Sequence, residues 1–90
     1  MRSDPATWER ILLHMRTEEG PHTQPRISSE LGTSSKMICA GIAKLEEMGL
    51  VKAGDLVRDP LAKRSVRSYA LTQNGDRYAE NLSMIRRYAP

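Results

Sequence analysis

The sequence has no phenylalanine, one tryptophan and a single cysteine in 90 residues, and each shortage excludes something. Cys39 has no partner for an internal disulfide, so the disulfide-stapled secreted class is out and a reducing interior is expected. With few large aromatics, the chain supports one modest core in one domain, residues 1–90. A domain of this size buries only about 60–65% of the surface that its unfolded chain exposes, which makes self-association a standing expectation. No apolar run approaches the roughly 18 residues of a membrane helix, and Met1-Arg2-Ser3-Asp4-Pro5 does not lead into an apolar signal core. A soluble, cytoplasmic protein without a membrane partner is expected.

The parts of an enzyme are missing too. His14 and His22 are the only histidines, one expected on a helix and one in a loop, both solvated, and neither stands at metal-ligand spacing from Cys39. Glu18-Glu19 and Glu46-Glu47 are adjacent pairs, and neighbours on a helix diverge by about 100° instead of converging on a substrate. No glycine-rich phosphate loop or nucleophile elbow occurs. No catalysis, cofactor or metal is expected.

The charge is small and unevenly placed. Net +3 with a pI near 9.4 suggests an anionic partner without choosing one. Residues 1–50 hold six Lys/Arg against seven Asp/Glu, and residues 71–90 hold three against two. Residues 51–70 carry Lys52, Arg58, Lys63, Arg64 and Arg67 against Asp55 and Asp59, a local +3. The surplus lies in one short stretch.

Periodicity supplies the elements. Asp4-Pro5 reads as an N-cap and first helical residue, and Trp8, Ile11, Leu12 and Met15 form one stripe up to Gly20-Pro21. Thr23 can cap a short second helix with Pro25 in its first turn and Ile27 and Leu31 inward, ended by Gly32. A third helix, about 34–48, repeats Ile38, Ile42 and Leu45, with Met48 extending the stripe and Gly49 closing it. Leu50–Ala53 and Arg67–Leu71 read as strands of one basic hairpin, about 50–71, that turns at Asp59-Pro60, with Arg58 nearer its base. Thr72 caps a last helix, about 72–88, whose Tyr78, Leu82, Ile85 and Ala89 form a narrow seam.

Two short helices about a glycine turn make a helix-turn-helix, with the second helix offered to the DNA major groove. Leu45-Glu46-Glu47-Met48-Gly49-Leu50-Val51 and Ser68-Tyr69-Ala70-Leu71-Thr72-Gln73-Asn74-Gly75 stand in the right order on either side of the basic hairpin. The first resembles the recognition-helix exit of winged helix-turn-helix transcription regulators. The second is similar to the last wing strand and the Leu-Thr-x-x-Gly helix start of MarR-like and PadR-like members. The resemblance covers about residues 7–82 and implies a mainly α domain with a small β-hairpin wing and a C-terminal dimerisation helix. It further implies sequence-selective binding of double-stranded DNA by a homodimer that regulates transcription, most simply as a repressor that occludes polymerase.

Carried over by position, the DNA-binding set is Ser34, Ser35, Lys36, Met37, Cys39, Ala40 and Lys44 on the recognition helix, and Arg58, Lys63, Arg64 and Arg67 on the wing. The dimer set is Trp8, Tyr78, Leu82, Ile85 and Ala89. MarR-like proteins usually carry polar or basic residues at the positions of Cys39 and Ala40, and often an aspartate where this chain has Lys63. Arg, Asn and Gln make the bidentate base contacts, and none occurs from Ser34 to Met48. Small apolar side chains there suit thymine methyl groups and shape readout. The same outer face also suits a winged-helix module that docks another protein. Cys39, beside Lys36 and Lys44, is either a redox thiol or a half-buried small hydrophobe packed near Ile38 and Ile42.

Overall fold

The computed structural model describes the backbone of residues 6–88 and the side chains of residues 6–84. Its elements are α1 (Thr7–Thr17), β1 (His22–Thr23), α2 (Gln24–Leu31), α3 (Ser35–Glu47), β2 (Val51–Asp59), β3 (Arg64–Leu71) and α4 (Gln73–Tyr88). Three of the four helices start at a hydroxyl that accepts a backbone N–H. Thr23 accepts from Arg26 at 3.4 Å, Ser34 from Met37 at 3.3 Å, and Thr72 from Gly75 at 3.0 Å. Each such cap is worth about 1 kcal/mol. The exception is α1. The expected cap at Asp4-Pro5 lies outside the described residues, and the helix begins only after Ala6, whose ψ of 151° is extended and whose side chain makes no cap bond.

Two glycines stop helices as expected. Gly32 (φ +63°) ends α2, and Gly49 (φ +75°) follows α3. At Gly49 both bonds of a Schellman close form: Gly49 N–H to the Glu46 carbonyl at 3.0 Å, and Leu50 N–H to the Leu45 carbonyl at 2.9 Å. Leu50 is thereby turned into the core. Met48 does not extend the buried stripe, contrary to expectation: it is the C-cap residue and stays 40% exposed, while Leu50 takes the inward place.

The core is Ile11, Leu12 and Met15 of α1, Ile27 of α2, Ile38, Ile42 and Leu45 of α3, Leu50 and Val51 after it, and Ala79 of α4. Each of the larger side chains contributes about 1.5–3 kcal/mol by burial. Gly41 of α3 meets α1 so closely that an added Cβ would stand 2.6 Å from Ile11 Cδ1. Arg10 reaches from α1 to the turn between α2 and α3, donating to the Leu31 carbonyl at 2.9 Å and to Thr33 Oγ1 at 3.3 Å. Ser28 Oγ donates to the Thr33 carbonyl in the same turn.

The sheet has the order β1-β3-β2, antiparallel throughout. Its third strand was not expected. At two residues, His22 and Thr23, β1 is too short to show a period, and only its pairing with Tyr69 and Ser68 makes it a strand. His22 is accordingly buried, not solvated in a loop. The hairpin runs from Val51↔Leu71 to Asp59↔Arg64, with a bulge between Ala53 and Leu56. Ser68 Oγ donates to the Asp55 carbonyl at 2.7 Å, and Arg67 Nη1 to the Gly54 carbonyl at 2.9 Å, so side chains replace the ladder bonds that the bulge loses. Arg58 pairs with Ser65, one step from the turn, and not near the base as expected. The strands run further than the apolar residues suggest, so the turn begins only at Pro60.

At the base of the hairpin, Thr72 N–H donates to the Leu50 carbonyl at 3.0 Å and Thr72 Oγ1 to the Gly49 carbonyl at 2.7 Å. Gly75 lies against the same peptide: a Cβ there would stand 1.9 Å from the Leu50 oxygen. Gly32 differs, since a Cβ on it meets nothing and only its positive φ resists. Gly75→Ala should therefore cost about 3 kcal/mol through overpacking, and Gly32→Ala about 1–2 kcal/mol through left-handed strain. Urea unfolding of the two variants checks this, and equal losses would contradict it.

Candidate nucleic-acid interface

The first turn of α3 and the hairpin face each other across an open groove of about 400 Å³. Ser35 stands on one side, Leu56, Arg64, Ser65, Val66, Arg67 and Tyr69 on the other, and Gln24 and Pro25 from the start of α2 close one end. Among the described residues, no carboxylate lines it. Two arginines and the N-terminal end of a 13-residue helix, where the helix dipole is positive, thus face one space.

All eleven residues expected to contact DNA are exposed: Ser34, Ser35, Lys36, Met37, Cys39, Ala40, Lys44, Arg58, Lys63, Arg64 and Arg67. They do not form one cluster. Ser35, Arg64 and Arg67 share the groove just described. Met37, Ala40 and Lys44 turn the other way and line an apolar hollow of about 240 Å³ with Thr7, Trp8 and Gly41. Arg58 lies on a third side, beside Pro21, Thr23, Arg26, Val57, Asp59 and Pro60. Lys63 is in the turn with a φ of +56°, the left-handed value that closes it onto the Asp59 carbonyl at 2.8 Å. Cys39 is exposed, so it is not the half-buried packing residue of the second reading.

Gln24 and Arg26 were not expected as neighbours of these groups. The position of Gln24 and Pro25 at the start of the helix before the turn is the signal that could have found the first. Arg26 needed the fold. It becomes a neighbour of the hairpin only because Thr23, on β1, meets Asp59 at the far end of β2: Thr23 Oγ1 donates to Asp59 Oδ2, both residues buried.

Two groups have displaced pKa values. The Thr23 hydroxyl, helped by the backbone N–H groups of Leu61 and Ala62, holds the Asp59 carboxyl below its ordinary value despite burial. His22 is also lowered, first by burial and then by His14, whose ring lies edge-on at 6.1 Å. His14 itself bonds to Glu30 Oε1 at 3.3 Å, an oxygen it shares with Arg26 at 3.4 Å. Among the described residues, no group of three or more His, Cys, Asp or Glu could hold a metal ion, and no helix is long and apolar enough to cross a membrane.

Of the residues expected at a dimer contact, Trp8 and Tyr78 pack on each other within the chain, ring centroids 6.0 Å apart and planes at 56°. Trp8 is half-buried and Tyr78 40% exposed; Leu82 is half-buried, and Ala79, outside the expected seam, is the α4 residue in the core. The side chain of Ile85 and all of Ala89 lie outside the described residues.

A helix, a two-residue strand, two more helices, a hairpin and a last helix, in this order, are superposable on known structures. The chain has the winged helix-turn-helix fold. The apo form of a Lactococcus lactis ZitR double mutant matches at a TM-score of 0.72 with 23% identity, over 90% of this chain and 57% of that one. Staphylococcus aureus MepR in its DNA complex matches at 0.73 with 18% identity, over 87% and 55%. The transcriptional regulator SlyA matches at 0.72 with 16% identity, over 91% and 54%. The chain spans about half the length of these structures. No family model and no curated protein sequence matches it. In the terms of the fold, α2 and α3 are the helix-turn-helix and β2–β3 is the wing.

The lowered pKa of His22 fixes a pH dependence. In the folded domain His22 stays neutral where the unfolded chain already binds a proton, so its stability contribution is complete above about pH 6.5 and is lost as pH falls below it. Unfolding free energies measured from pH 7.5 down to 5.5 should decline, and His22→Gln should flatten that decline even if it lowers the starting value. An unchanged slope in the variant would contradict the assignment.

Proposed function

We propose that this domain binds double-stranded DNA and regulates transcription as a homodimer, as a repressor that occludes polymerase. The observation that carries the reading is the carboxylate-free groove in which Arg64 and Arg67 of the wing face Ser35 at the start of α3. Neighbouring Lys36 is exposed and fits a phosphate contact, and Cys39 is exposed one turn on from Ser35, while Met37 and Ala40 face the separate hollow beside Trp8. MepR, described as a transcription regulator of a multidrug efflux pump, has this fold in complex with DNA, which supports the reading.

On this reading the wing supplies affinity and little sequence preference, because an arginine beside the backbone attracts the phosphates of any duplex. Replacing both Arg64 and Arg67 with alanine should weaken selected and random duplexes by similar factors. It should also flatten the plot of log affinity against log salt by between about one and two units, at about 0.9 per lost phosphate contact. Loss of the selected site alone would show that the wing reads bases. The exposed hollow of Met37, Ala40 and Trp8 favours the rival reading, in which α3 docks a protein. That reading gives no salt-dependent binding to any duplex.

Self-association through α4 and α1 rests on Tyr78 and Leu82, which the small core leaves partly uncovered. Light scattering should give twice 10.1 kDa for the chain and the single mass for Tyr78→Glu with unchanged circular dichroism. A wild-type monomer at the concentrations that bind DNA would refute the homodimer.

A further inference from the structure

The bond between Thr23 and Asp59 joins the end of the wing to the start of α2. It joins residues 36 apart in sequence, both side chains are buried, and Thr23 is also the N-cap of α2. Asp59 is occupied on every side: Oδ2 by the Thr23 hydroxyl, Oδ1 by Leu61 N–H at 2.8 Å, and its own carbonyl by Lys63 N–H at 2.8 Å. It also forms the closing pair of the hairpin with Arg64, and Arg58 precedes it. One carboxylate therefore ties the end of the wing to the first residue of the helix-turn-helix. A two-stranded ribbon fixed only at its base swings at its tip, and a second tie removes that freedom.

We propose that Asp59 is a positioning residue for DNA binding, which through Thr23 sets the place of the wing's Arg58 and Arg64 relative to α3. The inference rests on the DNA-binding reading above. Charge gives it a sharp sign. Asp59 is an anion beside a surface that meets phosphate, so its removal, judged on charge alone, strengthens DNA binding. Positioning demands the reverse.

The test uses the full chain and a random-sequence duplex titrated with salt. Asp59→Ala should weaken binding about tenfold at moderate salt and flatten the salt slope by about one unit, the loss of one phosphate contact, with circular dichroism unchanged. In an Arg58→Ala/Arg64→Ala background the same change should have no further weakening effect. Thr23→Val should behave like Asp59→Ala, and Thr23→Ser, which keeps the hydroxyl, should retain the wild-type slope. Unchanged or tighter binding by Asp59→Ala, or an undiminished loss in the Arg58→Ala/Arg64→Ala background, overturns the proposal and leaves the DNA reading standing. A wild-type chain that binds no duplex overturns both.

Discussion

The relation between wing and α3 depends on one close approach, the Leu50 carbonyl against Gly75. That oxygen accepts Thr72 N–H at 3.0 Å and occupies the space a Cβ on Gly75 would fill, with 1.9 Å between them. Because Leu50 is also the residue that the Schellman close of α3 turns inward, the exit of α3, the return of the wing and the entry of α4 meet at one peptide. Thr72 adds its hydroxyl to the Gly49 carbonyl at 2.7 Å. The hairpin cannot pivot at its base without breaking backbone bonds that belong to both neighbouring helices. A tight-turn glycine and a helix-cap threonine, read from sequence as local punctuation, hold the tertiary geometry.

The other end of the helix-turn-helix is held by side chains. Arg10 from α1 satisfies the Leu31 carbonyl and Thr33 in the turn, so the angle between α2 and α3 is referred to α1, against which α3 packs through Gly41. These bonds are partly buried and made by a charged donor, where a bond contributes about 1.5–3 kcal/mol. The exposed pairs of Arg16 with Asp76 and Glu80 join α1 to α4 at 3.5 and 3.9 Å and count for at most about 1 kcal/mol. Position within the helix-turn-helix is thus fixed more firmly than the attachment of α4 at its surface.

Much of this was legible because it is local. Helices with a period of 3.6 and a hydroxyl cap, and glycines at positive φ, state themselves in a few residues; Thr23, Ser34, Gly32 and Gly49 all lie where the pattern placed them. What escaped depends on pairing between distant segments. The two residues of β1 carry no period of their own, and the bulge at Gly54–Asp55 shifts the alternation of the wing, so neither the third strand nor the place of Arg58 could be read. His22 was misplaced for the same reason, since its burial comes from pairing with Tyr69. The residues expected to contact DNA were chosen by residue type and position, and their division among three surfaces emerged only from the fold.

Charge along α3 gives the proposed interface a direction. The helix begins with Ser34, Ser35 and Lys36 at the positive end of its dipole and ends with Glu46 and Glu47 at the negative end, where acidic side chains are unfavourable. A helix built for stability alone would place those charges the other way round. Screening confines such fields to about 8 Å at physiological salt, so a polyanion meets the two ends separately: it is attracted at the first turn, which adjoins the groove of Arg64 and Arg67, and repelled at the last. Of the basic residues that give residues 51–70 their surplus, Arg64 and Arg67 lie at that same end. On the proposed reading, therefore, electrostatics sets which half of α3 approaches the duplex, while the uncharged, exposed Cys39 beside that first turn is left to sense groove shape and methyl groups.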